Sequence, residues 1–201
     1  MIHHFKEKFT HIYDKELWGK GRGSGTGSSL FANKNYIPFL EKFLKENNIK
    51  NVLDYGCGDW QFSKYVDWGN TNYTGIDVVD SVIENNKQQF TEHTYICDDN
   101  PFPYLKDKDL IIIKDVLQHW PNKEITNFID KLIKENILIL LVNQANNSGL
   151  QNGKRNIRIG GFATLKYDEK PLNKYNPKLI FKFRNRQVLL IKGGTNGFSS
   201  I

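Results

Sequence analysis

The stretch that decides the fold is Asn51-Val52-Leu53-Asp54-Tyr55-Gly56-Cys57-Gly58-Asp59-Trp60, in which a short apolar run ends in two glycines. This pattern is typical of a buried strand that ends in a sharp turn. Glycine lets the backbone turn and approach a ligand closely, because no Cβ stands in the way. Such a turn serves several nucleotide-containing ligands, so the segments on either side must distinguish between them.

Strand-like and helix-like segments alternate on both sides of this stretch. Helical spacing or a helix start is predicted at 37–47, 61–66, 80–90 and 125–134. Continuous apolar runs predict strands at 51–55, 73–77, 93–97, 109–114 and 137–142. Two further runs, 179–183 and 187–191, are separated by a length suited to a hairpin. The alternation predicts an α/β fold: a Rossmann-like three-layer sandwich whose mostly parallel seven-stranded sheet ends in a C-terminal antiparallel hairpin.

The length of 201 residues fits one domain, 1–201, with an N-terminal helical piece and Gly/Ser loop (1–29) before the core (30–201). Cys57 and Cys97 lie in apolar surroundings, which favours buried thiols in a reducing cytoplasm over a bridge. The sequence shows no apolar run near the ~18 residues of a membrane span and no signal-peptide core. We therefore expect a cytoplasmic protein, in the host cytoplasm if its source is viral.

A net charge of +6 and a pI near 9.1 raise the possibility of a nucleic-acid partner. The basic residues are concentrated only between Lys154 and Arg186, where strand-like apolar residues interrupt them. The abundance of Lys, Asn and Ile together looks more like a compositional bias than a basic binding face. A nucleic-acid partner stays an alternative.

An acid at the end of the second strand sharpens the ligand prediction. The glycine turn breaks the Gly-x-Gly-x-x-Gly dinucleotide pattern and lacks the Lys-Ser/Thr of a phosphate-binding loop. Asp77 follows Gly58 by 19 residues, close to the ~20-residue offset at which a carboxylate meets ribose hydroxyls. Two hydroxyl donors would offset the desolvation of Asp77. A helix N-cap is the alternative role.

The run Val-Leu-Asp-x-Gly-Cys-Gly (52–58) resembles motif I of class I methyltransferases, which depend on S-adenosylmethionine (SAM). The resemblance implies that the turn passes under the methionine and ribose of SAM, and that Trp60 stands where many relatives keep a third glycine. It also implies an acid near the adenine amino group, for which Asp98 aligns better than Asp99. The full predicted cofactor set is Asp54, Gly56, Cys57, Gly58, Trp60, Asp77, Val78, Asp98, Asp99 and Lys114.

The segment after the fourth strand faces the position expected for the SAM methyl group. Methyl transfer requires alignment and removal of a hydroxyl proton, and His119 is the predicted base because imidazole titrates near neutral pH. If a helical turn begins after Lys114, Asp115 lies four residues before His119 on one face and orients its ring. Alternatively, His119 only shapes the pocket. An Asp/His pair also suggests Mg²⁺, but this segment offers too few oxygens, so we predict no metal.

Two loops complete the predicted site. The glycine- and serine-rich segment 23–28 is a candidate lid, anion-binding loop or simple connector, and 143–156 with 160–162 is the predicted substrate-selecting region. Together with these loops, Gly-Ile-Asp-Val-Val and Lys-Asp-Val-Leu-Gln-His-Trp are similar to small stand-alone class I methyltransferases, over roughly 18–191. Members are associated with polysaccharide or glycan modification, including a methyltransferase domain of chlorovirus glycan-building proteins.

That resemblance implies O-methylation of a sugar hydroxyl on a small-molecule or glycan acceptor, with S-adenosylhomocysteine (SAH) as product. Fold alone does not determine the acceptor. Methylation of RNA or another polymer, and SAM binding without catalysis, stay open as alternatives.

Overall fold

The computed structural model of the chain describes residues 3–145 and 157–194. Within them, one seven-stranded sheet has the order β3-β2-β1-β4-β5-β7-β6. The strands are β1 Asn51–Tyr55, β2 Asn72–Asp77, β3 Thr94–Cys97, β4 Leu110–Lys114, β5 Leu138–Gln144, β6 Lys178–Phe183 and β7 Arg186–Lys192. Strands β1 to β5 pair in parallel, and β7 pairs antiparallel with both β5 and β6. The predicted fold class, including the C-terminal hairpin, is confirmed.

Helices cover both faces of the sheet. They are α1 His3–Asp14, α2 Leu30–Asn33, α3 Tyr36–Glu46, α4 Asp80–Gln89 and α5 Asn122–Leu132. The apolar side chains of α3 pack on the face that carries Val52, Leu110 and Ile112, whereas α5 packs on the opposite face. Helices are expected on both faces, because successive side chains of a buried parallel strand point to opposite faces of the sheet.

The helix predicted at 61–66 was wrong. Only a single 3-10 turn, Ser63–Tyr65, follows the glycine turn. The Asp67 N–H, which would make the next intrahelical bond to the Ser63 carbonyl oxygen, donates instead to Glu41 Oε1 at 2.9 Å. The chain therefore leaves this turn and runs directly towards β2.

The sheet order places a crevice above β1 and β4. The chain runs from β1 outward through β2 to β3, then returns to β4 and continues in the opposite direction to β5. Ligands of open α/β sheets bind beyond the carboxyl ends of the strands at such a reversal. In the described part of the chain, no helix is long and apolar enough to cross a membrane, and Cys57 and Cys97 are both free thiols.

Candidate active site

A cleft of about 500 Å³ opens at the reversal point, within the usual size of small-molecule sites. It is bounded by the ends of β1, β2, β4 and β5, by α1 and the loop after it, and by residues 160–162. The predicted site residues in its lining are Asp54, Gly56, Cys57, Gly58, Asp77, Val78, Asp98, Lys114, Asp115 and His119. Trp60 and Asp99 are not among them.

The two glycine positions of the turn have no room for a side chain. Gly56 and Gly58 adopt φ of +75° and +58°, where glycine is favoured. A Cβ on Gly56 would lie 2.4 Å from Val116, and one on Gly58 would lie 2.3 Å from the Ser24 hydroxyl. Between them, burial raises the pKa of the Cys57 thiol well above its usual value, so this thiol stays protonated.

Asp77 is fixed by backbone donors at the end of β2. The N–H of Gly58 donates to its Oδ2 at 3.0 Å, and the N–H of Val79 donates to its Oδ1 at 3.2 Å. Burial raises the pKa of Asp77, and these backbone N–H groups partly counteract that rise. Each oxygen keeps a further lone pair for a ligand hydroxyl. Helix α4 begins at Asp80 with Val79 as its N-cap, so the alternative N-cap role of Asp77 was wrong.

The other two acids lie on either side of this carboxylate in the lining. Asp54 accepts a hydrogen bond from the Tyr73 hydroxyl at 2.7 Å, and burial raises its pKa to about 6. Asp98 accepts from the Asn100 N–H and from the Tyr104 hydroxyl, at 3.0 and 2.9 Å. All three acids face a cleft whose floor is the glycine turn.

Two predicted cofactor residues lie elsewhere. Trp60 adopts a left-handed φ of +57°, and its buried indole packs in the core with Phe90 and His93, at ring-centroid distances of 4.5 and 4.8 Å. Asp99 is absent from the cleft lining, and its backbone carbonyl accepts a hydrogen bond from the Tyr55 hydroxyl at 2.9 Å. Trp60 therefore stabilises the fold beside the turn instead of contacting a ligand in the cleft.

The predicted pairing of Asp115 with His119 was wrong. Asp115 has a left-handed φ of +57°, which interrupts any helical turn from Lys114, and a 3-10 turn follows at Leu117–His119. The Asp115 carboxylate instead binds the Lys114 ammonium at 2.7 Å and the Arg186 Nε at 2.9 Å. Burial opposes ionisation of Asp115, but the two cations outweigh it and hold its pKa below the usual value.

His119 is oriented by a different partner. Its Nδ1 lies 2.7 Å from the backbone carbonyl oxygen of Gly161. A carbonyl oxygen only accepts hydrogen bonds, so Nδ1 carries the hydrogen and Nε2 is the basic nitrogen of the neutral ring. Residues 160–162 line the cleft, whereas residues 146–156 of the predicted substrate-selecting loop lie outside the described residues.

Aromatic side chains surround His119 in the cleft. We call them the aromatic wall: Phe5, Phe9, Tyr13, Trp18, Trp120 and Phe162. The rings of Trp18 and Phe162 lie 5.4 and 5.9 Å from the His119 ring, centroid to centroid. Four members come from α1 and the residues just after it. Most of the aromatic wall was not predicted from the sequence, because aromatic residues on one face of a helix are also typical of packing in the hydrophobic core.

The loop at 23–28 is held against the glycine turn. The Asp59 N–H donates to the Ser24 hydroxyl oxygen at 3.0 Å, and the Ser24 N–H donates to Asp59 Oδ2 at 3.2 Å. The hydroxyls of Tyr13 and Ser24 are 2.6 Å apart. This reciprocal contact, which we call the Ser24 latch, joins the loop to the turn. Residues 24–28 line the cleft.

Comparisons with known proteins concern the fold and one segment of the chain. Residues 53–135 match a family model described as a methyltransferase domain. No curated protein sequence matches the chain. Magnesium protoporphyrin IX methyltransferase from Synechocystis PCC 6803, solved with bound SAH, is 16% identical with a TM-score of 0.62, over 94% of this chain and 99% of that chain.

Two further solved structures share the fold with different acceptors. Human N-acetylserotonin methyltransferase in complex with SAM is 17% identical, with a TM-score of 0.58 over 94% of this chain and 59% of that one. The N-methyltransferase NodS from Bradyrhizobium japonicum WM9, in complex with SAH, is 14% identical, with a TM-score of 0.58 over 82% and 88%. These similarities show the fold.

The matched segment contains the glycine turn, Asp77 and His119. Residues 53–135 therefore carry a methyltransferase domain, within a fold shared with methyltransferases solved with SAM or SAH. The cleft suits SAM, because Gly56 and Gly58 give a close floor and the Asp77 oxygens retain acceptor capacity. Within the described residues, no group of three or more His, Cys, Asp and Glu side chains is arranged to hold a metal ion.

Proposed function

We propose that this chain transfers a methyl group from SAM to a hydroxyl group of a sugar. The observation that supports this most is the orientation of His119. Its Nδ1 is fixed by the Gly161 carbonyl oxygen at 2.7 Å, which leaves Nε2 as the basic nitrogen in a cleft-lining ring. A base of this kind is what a hydroxyl acceptor needs and what an already nucleophilic acceptor does not.

The residues that would hold SAM are the glycine turn, as the floor of the cleft, and carboxylates that accept hydrogen bonds. The turn Gly56–Gly58 forms the floor, and Asp77 accepts hydrogen bonds from the ribose hydroxyls. Asp98, after β3, would hold the adenine amino group of SAM, and Asp54, at the end of β1, lies on the other side of Asp77. SAM supplies a methyl group that its sulfonium already activates. The protein's own task is to align the acceptor and to remove its proton.

In the proposed step, His119 Nε2 accepts the acceptor's hydroxyl proton while the oxygen bonds to the methyl carbon and the carbon–sulfur bond breaks. SAH and the methyl ether are the products, and His119 is left as imidazolium. The Gly161 carbonyl stabilises that imidazolium through the Nδ1–H. Asp115 has no part in orienting this ring, since both of its partners are cations.

The aromatic wall and neighbouring amides favour a sugar as acceptor. Aromatic faces pack against the C–H-bearing face of a sugar ring, and the wall surrounds His119 on the side of α1. Gln118 and Gln144 also line the cleft, and amide side chains both donate and accept hydrogen bonds to hydroxyls.

The test is methyl transfer from labelled SAM to matched sets of sugars and RNA oligomers. We expect a sugar to be methylated, and His119→Ala to lower turnover by about 10²- to 10⁴-fold with SAM affinity within about twofold. His11→Ala is the matched control, because His11 is exposed and outside the cleft. Methylation of RNA but not sugars would contradict the sugar assignment, and full turnover in His119→Ala would contradict the base.

A further inference from the structure

A buried arginine with unused hydrogen-bond donors lines the cleft. It lies beside Asp115, in the part of the cleft that we call the acceptor end, which also includes Lys114 and His119. The Arg186 side chain is only 4% exposed and lies in the cleft lining at the start of β7. Its Nε donates to Asp115 and its Nη1 donates to Asn185, at 2.9 and 3.2 Å. Its Nη2 makes no hydrogen bond to any residue in the described part of the chain.

A glycine of the loop at 23–28 packs against this guanidinium. A Cβ on Gly27 would lie 2.6 Å from Arg186 Nη2, closer than any real contact allows. Gly27 is itself a cleft-lining residue, so Nη2 lies where the loop at 23–28 borders the cleft. A side chain at this position would displace the guanidinium or close the space in front of it.

Two cations are in direct contact with one carboxylate here. Lys114 and Arg186 share the single carboxylate of Asp115, and the Lys114 side chain is only 6% exposed. The pKa of Lys114 is lowered, because burial outweighs the opposing effects of Asp115 and Asp54. A buried cation with unused donors is costly unless an anion meets it. The planar guanidinium matches carboxylate and phosphate geometry in particular.

The same residues are joined to the predicted base. The Asn185 side-chain amide donates to Gln144 Oε1 at 2.8 Å, and the backbone N–H of Gln144 donates to Gln118 Oε1 at 2.9 Å. Gln118 is the residue before His119. The hydrogen bonds from Arg186 through Asn185 and Gln144 therefore end at the residue before the base, and Gln144 and Gln118 line the same cleft as Arg186.

We propose that Arg186, assisted by Lys114, binds an anionic group of the acceptor, a carboxylate or a phosphate. The acceptor is then an acidic sugar whose reacting hydroxyl lies at His119 and whose anion lies at Arg186. This assignment rests on the proposed function, since it takes the acceptor to be a sugar.

The test uses the protein loaded with SAH, at constant ionic strength. Calorimetry first establishes SAH binding, and its failure would count against the proposed function instead. Glucose, glucuronate and glucose 6-phosphate are then titrated as a neutral, a carboxylate and a phosphate probe. We expect at least one anionic sugar to bind at least about tenfold more tightly than glucose, as charge-assisted hydrogen bonds require.

Variants assign that preference to the guanidinium. Arg186→Gln should reduce the preference to within about twofold while SAH affinity stays unchanged, and Arg186→Lys should retain part of it. Arg184→Asn is the matched control, because Arg184 is exposed and lies two residues away in the hairpin turn. Thermal melts establish that each variant is folded.

Four outcomes would overturn the proposal. They are equal binding of all three sugars, no binding of any sugar to the SAH complex, a preference that survives in Arg186→Gln, and a fall in SAH affinity in that variant. The last would assign Arg186 to the cofactor.

Discussion

The two ends of the cleft are built in different ways. At the cofactor end, Asp77 lies at a strand end and is held by backbone N–H groups of Gly58 and Val79. At the acceptor end, Asp115 is held by side chains of Lys114 and Arg186, the latter 71 residues away. Backbone donors orient a carboxylate without adding charge, whereas two cations contact the single carboxylate of Asp115. The first arrangement suits hydroxyl donors, and the second suits an anion.

The largest effect that separates the two ends is expected for Asp115→Asn. Asparagine tolerates the left-handed φ at this position, so the change removes charge with little backbone strain. It leaves Lys114 and Arg186 buried without a carboxylate, which should lower the free energy of unfolding by about 3–5 kcal/mol. Denaturant unfolding at neutral pH measures the loss.

Asp130→Asn is the control for this change. Asp130 pairs with Lys174 at 2.7 Å, but both side chains are 46% exposed, so its loss should be far smaller. Equal losses in the two variants would show that the Asp115 cluster is an ordinary surface ion pair.

At the cofactor end, Asp54 should give the molecule a pH-dependent stability. Burial raises its pKa to about 6, so the folded protein holds this proton more tightly than the unfolded chain. The contribution of Asp54 to stability therefore falls as pH rises from about 4 to about 6, by roughly 2–3 kcal/mol, and is flat above that range.

The measurement is the difference in unfolding free energy between the wild type and Asp54→Asn across pH 4–8. We expect the wild type to gain on the variant as the solution becomes more acidic. Asp14→Asn serves as the exposed control. A difference that is constant with pH would mean that Asp54 is solvated.

The smallest effect concerns the Ser24 latch. Ser24→Ala removes the oxygen that accepts from the Asp59 N–H and contacts Tyr13, and should lower the unfolding free energy by about 1 kcal/mol. Ser29→Ala removes a hydroxyl of equal size that caps the short helix α2 and should leave SAH affinity unchanged. If Ser24→Ala also leaves SAH affinity unchanged, the latch does not support the cofactor floor.

The sequence predicts the cofactor end better than the acceptor end, for a physical reason. The glycine turn and Asp77 are set by strand ends and short spacings, and the structure brings them together as expected. The prediction that Trp60 contacts the cofactor was wrong, because a position in the motif does not determine where a residue with left-handed φ directs its side chain. The predicted contact between Asp115 and His119 was wrong, because it required a helical turn that the left-handed φ of Asp115 prevents.

Arg186 could not have been found from its neighbours in sequence. It begins β7 directly after a hairpin turn that carries another arginine, and only the antiparallel pairing of β7 with β5 brings it beside Asp115. The same holds for the Gly161 carbonyl, which reaches His119 across 42 residues. Long-range pairing, not local pattern, builds this part of the site.

The division of the cleft into a cofactor end and an acceptor end is best tested by calorimetric titration of SAH into the wild type, Asp77→Ala and His119→Ala, with NADH as the control ligand. We predict micromolar binding of SAH to the wild type and to His119→Ala, at least a tenfold loss in Asp77→Ala, and no binding of NADH. Equal SAH binding in Asp77→Ala, or an equal loss in His119→Ala, would contradict the division of the cleft into a cofactor end and an acceptor end.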